Sequence, residues 1–109
     1  MRGPGFKYGN KPRRVDGVLF QSTKEARRYQ ELKALQMAGV IRDLELQPKF
    51  DLDVNGVRVC RYFGDFRYYD NERNQTVVED VKTPGTRTKE YAIKARLMLA
   101  VHGIEVEET

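Results

Sequence analysis

The residues of this chain whose types and spacing suit chemistry are Asp65, Asp80 and Lys82. They fall in two stretches that read as neighbouring strands, Val59–Tyr69 and Thr76–Lys82, on either side of the turn-forming cluster Asp70-Asn71-Glu72-Arg73-Asn74. A four-residue loop over Asn71–Asn74 pairs Asp70 with Gln75 and sets Asp65 opposite Asp80. Cβ atoms of such partners lie about 4.5–5.5 Å apart, and like charges there repel. Lys82, two residues beyond Asp80, points to the same face. Two opposed carboxylates are a poor structural element, but beside a lysine they suit Mg²⁺ and the hydrolysis of a phosphodiester. The competing reading is a solvated hairpin face on which Lys82 only neutralises Asp80. Register decides between partners: a five-residue loop would bring Glu79 opposite Asp65 and turn Asp80 to the other face.

These residues need elements to hold them. Val15-Asp16-Gly17-Val18 is a tight hairpin signature within Arg13–Phe20. Ser22-Thr23-Lys24-Glu25 is a capping box that opens a helix running to about Ala38, stopped by Gly39. Ala26, Tyr29, Leu32 and Leu35 give its apolar stripe. Ile41–Leu52 reads as a strand with a break at Pro48, and Asn55-Gly56 turns it into Val57–Tyr69. Thr76–Lys82 follows, then a loop at Thr83-Pro84-Gly85-Thr86. A second helix is expected from about Arg87 to Val101, with Tyr91, Ile93, Lys94, Leu97, Met98 and Val101 on or near its inner side. Ile104–Glu107 closes as a short strand. The order is hairpin, helix, three strands, helix, strand.

Glu25 joins the candidates through that first helix. As the fourth residue of the capping box it could bond back to Ser22. Yet Glu25, Tyr29 and Leu32 are spaced i, i+4, i+7, which places an acid near the centre of the apolar stripe. An inward carboxylate costs several kcal/mol (roughly) unless it is paired or binds metal.

At 109 residues the chain is expected to form one domain. Its single cysteine, Cys60, excludes an intramolecular disulfide and a cysteine-based zinc site and reads as a small buried hydrophobe. The single histidine, His102, precedes Gly103 and reads as a helix C-terminus; nothing supports a Ser-His-Asp triad built on it. No apolar run is long enough to span a membrane and no signal-peptide core is present, so a cytoplasmic protein is expected. Residues 1–28 carry eight Lys/Arg against two acids, a surplus of six in a chain of net charge +4, and Lys82–Arg96 hold five basic residues against Glu90. Two basic clusters around an acidic pocket suit a polyanion held over a metal site.

Glu25, Asp65 and the tripeptide Asp80-Val81-Lys82, in this order of elements, resemble the PD-(D/E)xK nuclease superfamily. Gly64 stands where that superfamily commonly has Pro. More narrowly, the chain is similar to a family of small phage and prophage proteins of unassigned function. That likeness runs from Tyr8-Gly9-Asn10-Lys11 through Ser22–Glu31, Leu44-Glu45-Leu46-Gln47-Pro48, Asp65-Phe66-Arg67-Tyr68 and Val78–Lys82 to Gly103-Ile104-Glu105.

The resemblance implies an α/β fold with a restriction-endonuclease-like core. This is a mixed β-sheet flanked by two helices (α-β-β-β-α-β) with an N-terminal hairpin. Residues 1–12 are expected as a basic flexible tail and residues 13–109 as a single nuclease domain. The implied activity is a Mg²⁺-dependent DNA endonuclease of a phage or prophage, with Mn²⁺ as a substitute and branched DNA, as for Holliday-junction resolvases, the first substrate to consider. Glu25, Asp65, Asp80 and Lys82 would be catalytic. Glu25, Asp65, Asp80 and the backbone carbonyl of Val81 would hold metal, and Lys82 would orient the nucleophile. Arg13, Arg14, Lys24, Arg27, Arg28, Arg87, Lys89 and Lys94 are candidates for contact with the DNA backbone, Lys94 competing with a plain surface role. Gln47 either supports the site or bonds backbone at Pro48. A homodimer is expected if both strands are cut symmetrically. A non-catalytic DNA-binding module and a phage regulatory interaction protein are the alternative classes.

Overall fold

Asx-Gly turns close two of the hairpins among the described residues. In the computed structural model, which describes residues 11–82, 85 and 87–109, Asp16-Gly17 and Asn55-Gly56 each place both residues at positive φ (52° and 78°; 51° and 80°). That is the turn geometry whose twist matches paired strands. The first turn joins β1 (Arg13–Val15) to β2 (Val18–Phe20). Helix α1 (Thr23–Met37) follows, its N-cap Ser22 accepting from the Glu25 backbone N–H at 3.1 Å. Gly39, at φ 78°, ends it. Ala26, Tyr29 and Leu32 are buried and Leu35 half-buried, as the stripe predicts.

The second turn heads a long bent hairpin. Its strands are β3 (Ile41–Leu46) with β4 (Lys49–Val54) on one side, and β5 (Val57–Phe63) with β6 (Phe66–Asp70) on the other. Leu46 pairs with Phe66 and Lys49 with Phe63, so the same register carries across the bend. Backbone bonds bridge the bend: Gln47 N–H donates to Asp65 O at 2.9 Å and Gly64 N–H to Pro48 O at 3.0 Å. The two strands expected as Ile41–Leu52 and Val57–Tyr69 are therefore each divided in two. Gln47 at φ 51° before Pro48 turns one strand out of the plane, and Gly64 lets the other follow. A Cβ on Gly64 would sit 3.0 Å from Val78 Cγ1, so no side chain fits this crossing without displacement.

β6 pairs antiparallel with β7 (Gln75–Asp80), Asp70 opposite Gln75 across the four-residue loop. β8 (Glu107–Glu108) runs parallel to β7, giving a mixed sheet in the order β3-β6-β7-β8. This last strand lies at Glu107–Glu108, later than Ile104–Glu107, because it forms only where it meets Glu79 and Asp80. Between β7 and β8 comes α2 (Lys89–Leu97), capped by Thr88, and a π turn over Met98–His102. The helix starts two residues later than expected, at the cap. Ile93, expected near the inner side, is 61% exposed, because Tyr91, Ala95 and Met98 already occupy the buried spacing.

β7 is the central strand and is buried on both faces. Val77 packs with Phe20, Tyr29, Leu32 and Phe66 under α1, and Val78 packs with Phe50, Leu52, Tyr62 and Met98 under α2. The described residues form a mixed α/β fold of two α-helices and several small sheets. No helix among the described residues is long and apolar enough to cross a membrane. The segment 1–12 lies outside the described residues apart from Lys11 and Pro12.

Candidate functional site: an acid cluster at the end of the central strands

The alternation of β7 sends its two adjacent acids to opposite fates. Glu79, 1% exposed, points to the α1 face. There Arg28 holds it with two hydrogen bonds, Nε to Oε1 at 2.8 Å and Nη2 to Oε2 at 2.7 Å, and Tyr68 OH donates to Oε2 as well. Bonding to Glu79, then to Glu31, keeps the Arg28 guanidinium charged more firmly than usual. Arg28 is thus engaged with two acids of the fold while its side chain, 26% exposed, also lines the groove beside Val81.

Asp80 points to the α2 face. Tyr62 OH donates to Oδ2 at 2.5 Å, and Lys82 Nζ lies 3.1 Å from Oδ1. The Lys82 ammonium also sits 3.3 Å from the centre of the Tyr91 ring, while Lys24 donates to the Lys82 carbonyl. Burial, then the bond to Asp80, makes the Tyr62 hydroxyl harder to ionise than usual, so it stays a donor.

Asp65 does not lie within a strand but in the bend between β5 and β6, in line with Asp80 by the register of β6 on β7. Its N–H donates to Glu79 O at 2.9 Å, and its Oδ2 accepts from Val81 N–H at 2.6 Å. Its other neighbour is Glu25. The two carboxyls lie close enough for each to perturb the other, so Glu25 faces Asp65. Burial first, then the Glu25 charge, pushes Asp65 up to about 8, with Asp80 adding to the rise. Glu25 is raised as well, by burial and by Asp80. Both shifts run the same way, so the pair favours keeping a proton near neutral pH.

This has a measurable consequence in chelator. Above an aspartate's ordinary value of 3.8 the unfolded chain releases a proton that the folded chain retains up to about 8. The folded state then binds more protons, so stability falls as pH rises through that window, by up to about 1.4 kcal/mol per unit. Melting temperatures taken from pH 4 to pH 9 should decline and then level off, and Asp65→Asn should flatten the decline. An equal decline in the variant would show that Asp65 is not its source.

Among the described residues, no three acidic, histidine or cysteine side chains already form a ready metal cage. Asp80 is turned toward Tyr62 and Lys82, while Glu25 and Asp65 face each other. The donor chemistry nonetheless fits a hard divalent cation: the three side chains offer only oxygen, and a cation would take the place of the retained proton. Each carboxylate oxygen has two acceptor positions, so Tyr62 and Lys82 leave capacity on Asp80.

The remaining expected contacts spread around the site. Arg13, Arg14 and Arg27 line one groove of about 360 Å³ with Thr23 and Gln30. Lys24 and Arg27 line another beside Val81. Arg87 is ion-paired with Glu108, Lys94 lies 3.2 Å from Glu90, and Lys89 opens α2 in solvent. Gln47 bonds backbone at the bend through its N–H. His102 ends the π turn, and its Nε2 donates to Asp51 O, 2.9 Å away. Cys60 is half-buried beside the α2 core. Sequence reasoning missed Tyr62 as a partner of Asp80 and Tyr91 as the platform for Lys82. A buried tyrosine hydroxyl needs a partner, and Tyr62, three residues before Asp65, carried that signal.

Fold and site define a small mixed α/β protein with a proton-retaining acid cluster and a lysine at the end of its central strands. The chain belongs to the family described as "Protein of unknown function (DUF1064)", whose pattern matches residues 5–107. No curated protein and no solved structure matches it.

Proposed function

We propose that the protein is a divalent-metal-dependent DNA endonuclease with a restriction-endonuclease-like core. The observation that carries the reading is the convergence of Glu25, Asp65, Asp80 and Lys82 from α1, the β5–β6 bend and the end of β7. The main sheet adds support: with the β4–β5 excursion set aside, its elements run α1, β3, β6, β7, α2, β8. Gly64 departs from the superfamily's Pro for a local reason, since its N–H donates to Pro48 O.

Glu25, Asp65 and Asp80 would hold Mg²⁺ or Mn²⁺, with the Val81 carbonyl as a further oxygen donor. A bound ion of this kind acidifies water and neutralises charge on a phosphate. The chain's own residues do the rest. Tyr62 fixes Asp80. Tyr91 and Asp80 position the Lys82 ammonium, which would stabilise negative charge developing at phosphorus. Arg13, Arg14 and Arg27 present positive charge on the hairpin–α1 side, suited to a phosphate backbone.

Cleavage of plasmid, single-stranded, flap and four-way-junction DNA tests this, with branched DNA the first substrate expected to be cut. Activity should require Mg²⁺ or Mn²⁺ and fall at least about tenfold in Ca²⁺, whose looser coordination polarises water less. Full cleavage in excess chelator would rule out the metal mechanism. A non-catalytic DNA-binding module is favoured by one feature, the closed Asp80–Lys82 pair, and predicts binding without cleavage on every substrate.

A further inference from the structure

We infer that the groove beside Asp80 is a stacking subsite for one unpaired nucleobase next to the scissile phosphate, an inference that rests on the nuclease reading. The groove lies between the end of β5 and the start of α2, encloses about 250 Å³, and has Asp80 in its wall. Pockets for whole small molecules usually hold roughly 300–1,000 Å³, so this one suits a single flat ring. Tyr62 and Tyr91 are buried beneath it, while Phe63 on its rim is 60% exposed. Nothing apolar shields Phe63 from across the strand, where its partner is the exposed Lys49. The next residue, Gly64, is clamped to Pro48, which holds the strand under the ring in place. The Lys94–Glu90 pair lines the same groove and supplies a donor and an acceptor for a base edge.

An exposed, rigidly mounted aromatic ring within one groove of a carboxylate that handles phosphodiesters offers a stacking platform. Every base has a π-face, so the contact is sequence-tolerant. A base stacked and paired within a duplex cannot present that face. The subsite therefore selects DNA with an unpaired or everted nucleotide at the cut, as at a junction, flap or single strand.

The test compares a thymidine hexamer with an abasic hexamer of equal charge, bound to the full chain in Ca²⁺. The wild type should prefer the hexamer with bases by about 5- to 100-fold. Phe63→Ala should abolish that preference and leave the abasic affinity unchanged. The natural chain has no tryptophan, so Phe63→Trp should keep the preference and report stacking by fluorescence quenching with the thymidine hexamer alone. A preference that survives Phe63→Ala overturns the subsite, as does a parallel loss of affinity for both hexamers. So does an Ala variant that binds both like the wild type but loses self-association in sedimentation, which would make Phe63 a protein contact. In each case metal-dependent cleavage of DNA by the wild type leaves the nuclease reading standing. Absence of cleavage on every DNA removes that reading and the subsite with it.

Discussion

Asp80→Asn is expected to cleave DNA at least about 10³-fold more slowly than the wild type while folding and melting much as the wild type does. The asparagine carbonyl still accepts from Tyr62, so the contact that seats the side chain survives. What disappears is a carboxylate from the cluster that, on the proposed reading, meets both metal and phosphate. Metal-free DNA binding should hold or tighten, because the site loses a negative charge. Lys82→Ala should abolish cleavage too, yet weaken binding modestly, because it removes a positive one. The pair of variants thus moves binding in opposite directions while cleavage falls in both. Opposition of Asp65 and Asp80 in the sequence suggests that Asp80→Asn would also relieve repulsion and raise the melting temperature. The structure shifts that gain elsewhere. Asp80 has Lys82 at 3.1 Å, whereas the strongest like-charge neighbour of Asp65 is Glu25, so Glu25→Gln or Asp65→Asn is the change that should stabilise the metal-free protein. Cleavage assays and thermal melts with and without Mg²⁺ decide the matter. Wild-type cutting by Asp80→Asn, or its unfolding, would make Asp80 a structural acid.

The neighbouring acid should behave in the opposite way. Arg28→Ala leaves Glu79 buried at 1% exposure with only Tyr68 as a donor. Removing one partner of a buried ion pair costs about 3–5 kcal/mol, a large share of the roughly 5–15 kcal/mol that holds a domain together. Glu79→Ala should cost less, about 2 kcal/mol, since the Arg28 side chain is 26% exposed and water can solvate it. The double variant with leucine at 79 and methionine at 28 should recover most of the loss, because no charge is left stranded. Urea midpoints of the four proteins form the check. If Arg28→Ala melts like the wild type and loses DNA binding instead, Arg28 is a backbone contact and the ion pair is incidental.

These two adjacent acids also show what could be read in the sequence. The placement of the candidate site residues was legible because two local rules fix their positions. The capping box sets the start of α1 and hence the direction of Glu25. The four-residue turn, with Asp70 Oδ1 accepting from the N–H groups of Glu72 and Arg73, sets the register that aligns Asp65 with Asp80. The separation of roles between Glu79 and Asp80 was not legible. It depends on Arg28 arriving from a helix fifty-one residues away, and no local pattern announces that. Nor was the bend. Apolar alternation runs unbroken past Pro48 and Gly64 because the pairing register itself is unbroken. Only the left-handed Gln47 and the space-limited Gly64 turn the ribbon, and both effects are three-dimensional. Tyr91 was placed on the inner face of α2 from its spacing, but its service to Lys82 depends on the loop between β7 and α2.

The bent hairpin has a consequence for how this protein can vary. Irregularities occur on both sides of the bend, between Leu52 and Asp53 and between Arg42 and Glu45, where the register slips. Neither slip passes through Gln47–Asp65 or Pro48–Gly64. The two backbone bonds at that neck act like a crimp, so a change in the length of the outer ribbon ends before it reaches Asp65. Only the tip of the ribbon, residues 53–58, lies beyond the slip and outside the core that Phe50, Leu52 and Tyr62 form with Val78 and Met98. Insertions, deletions and new surface chemistry at that tip would be absorbed without retuning the acids, which makes it the place where a chain of this fold can change its surface while keeping its acid cluster.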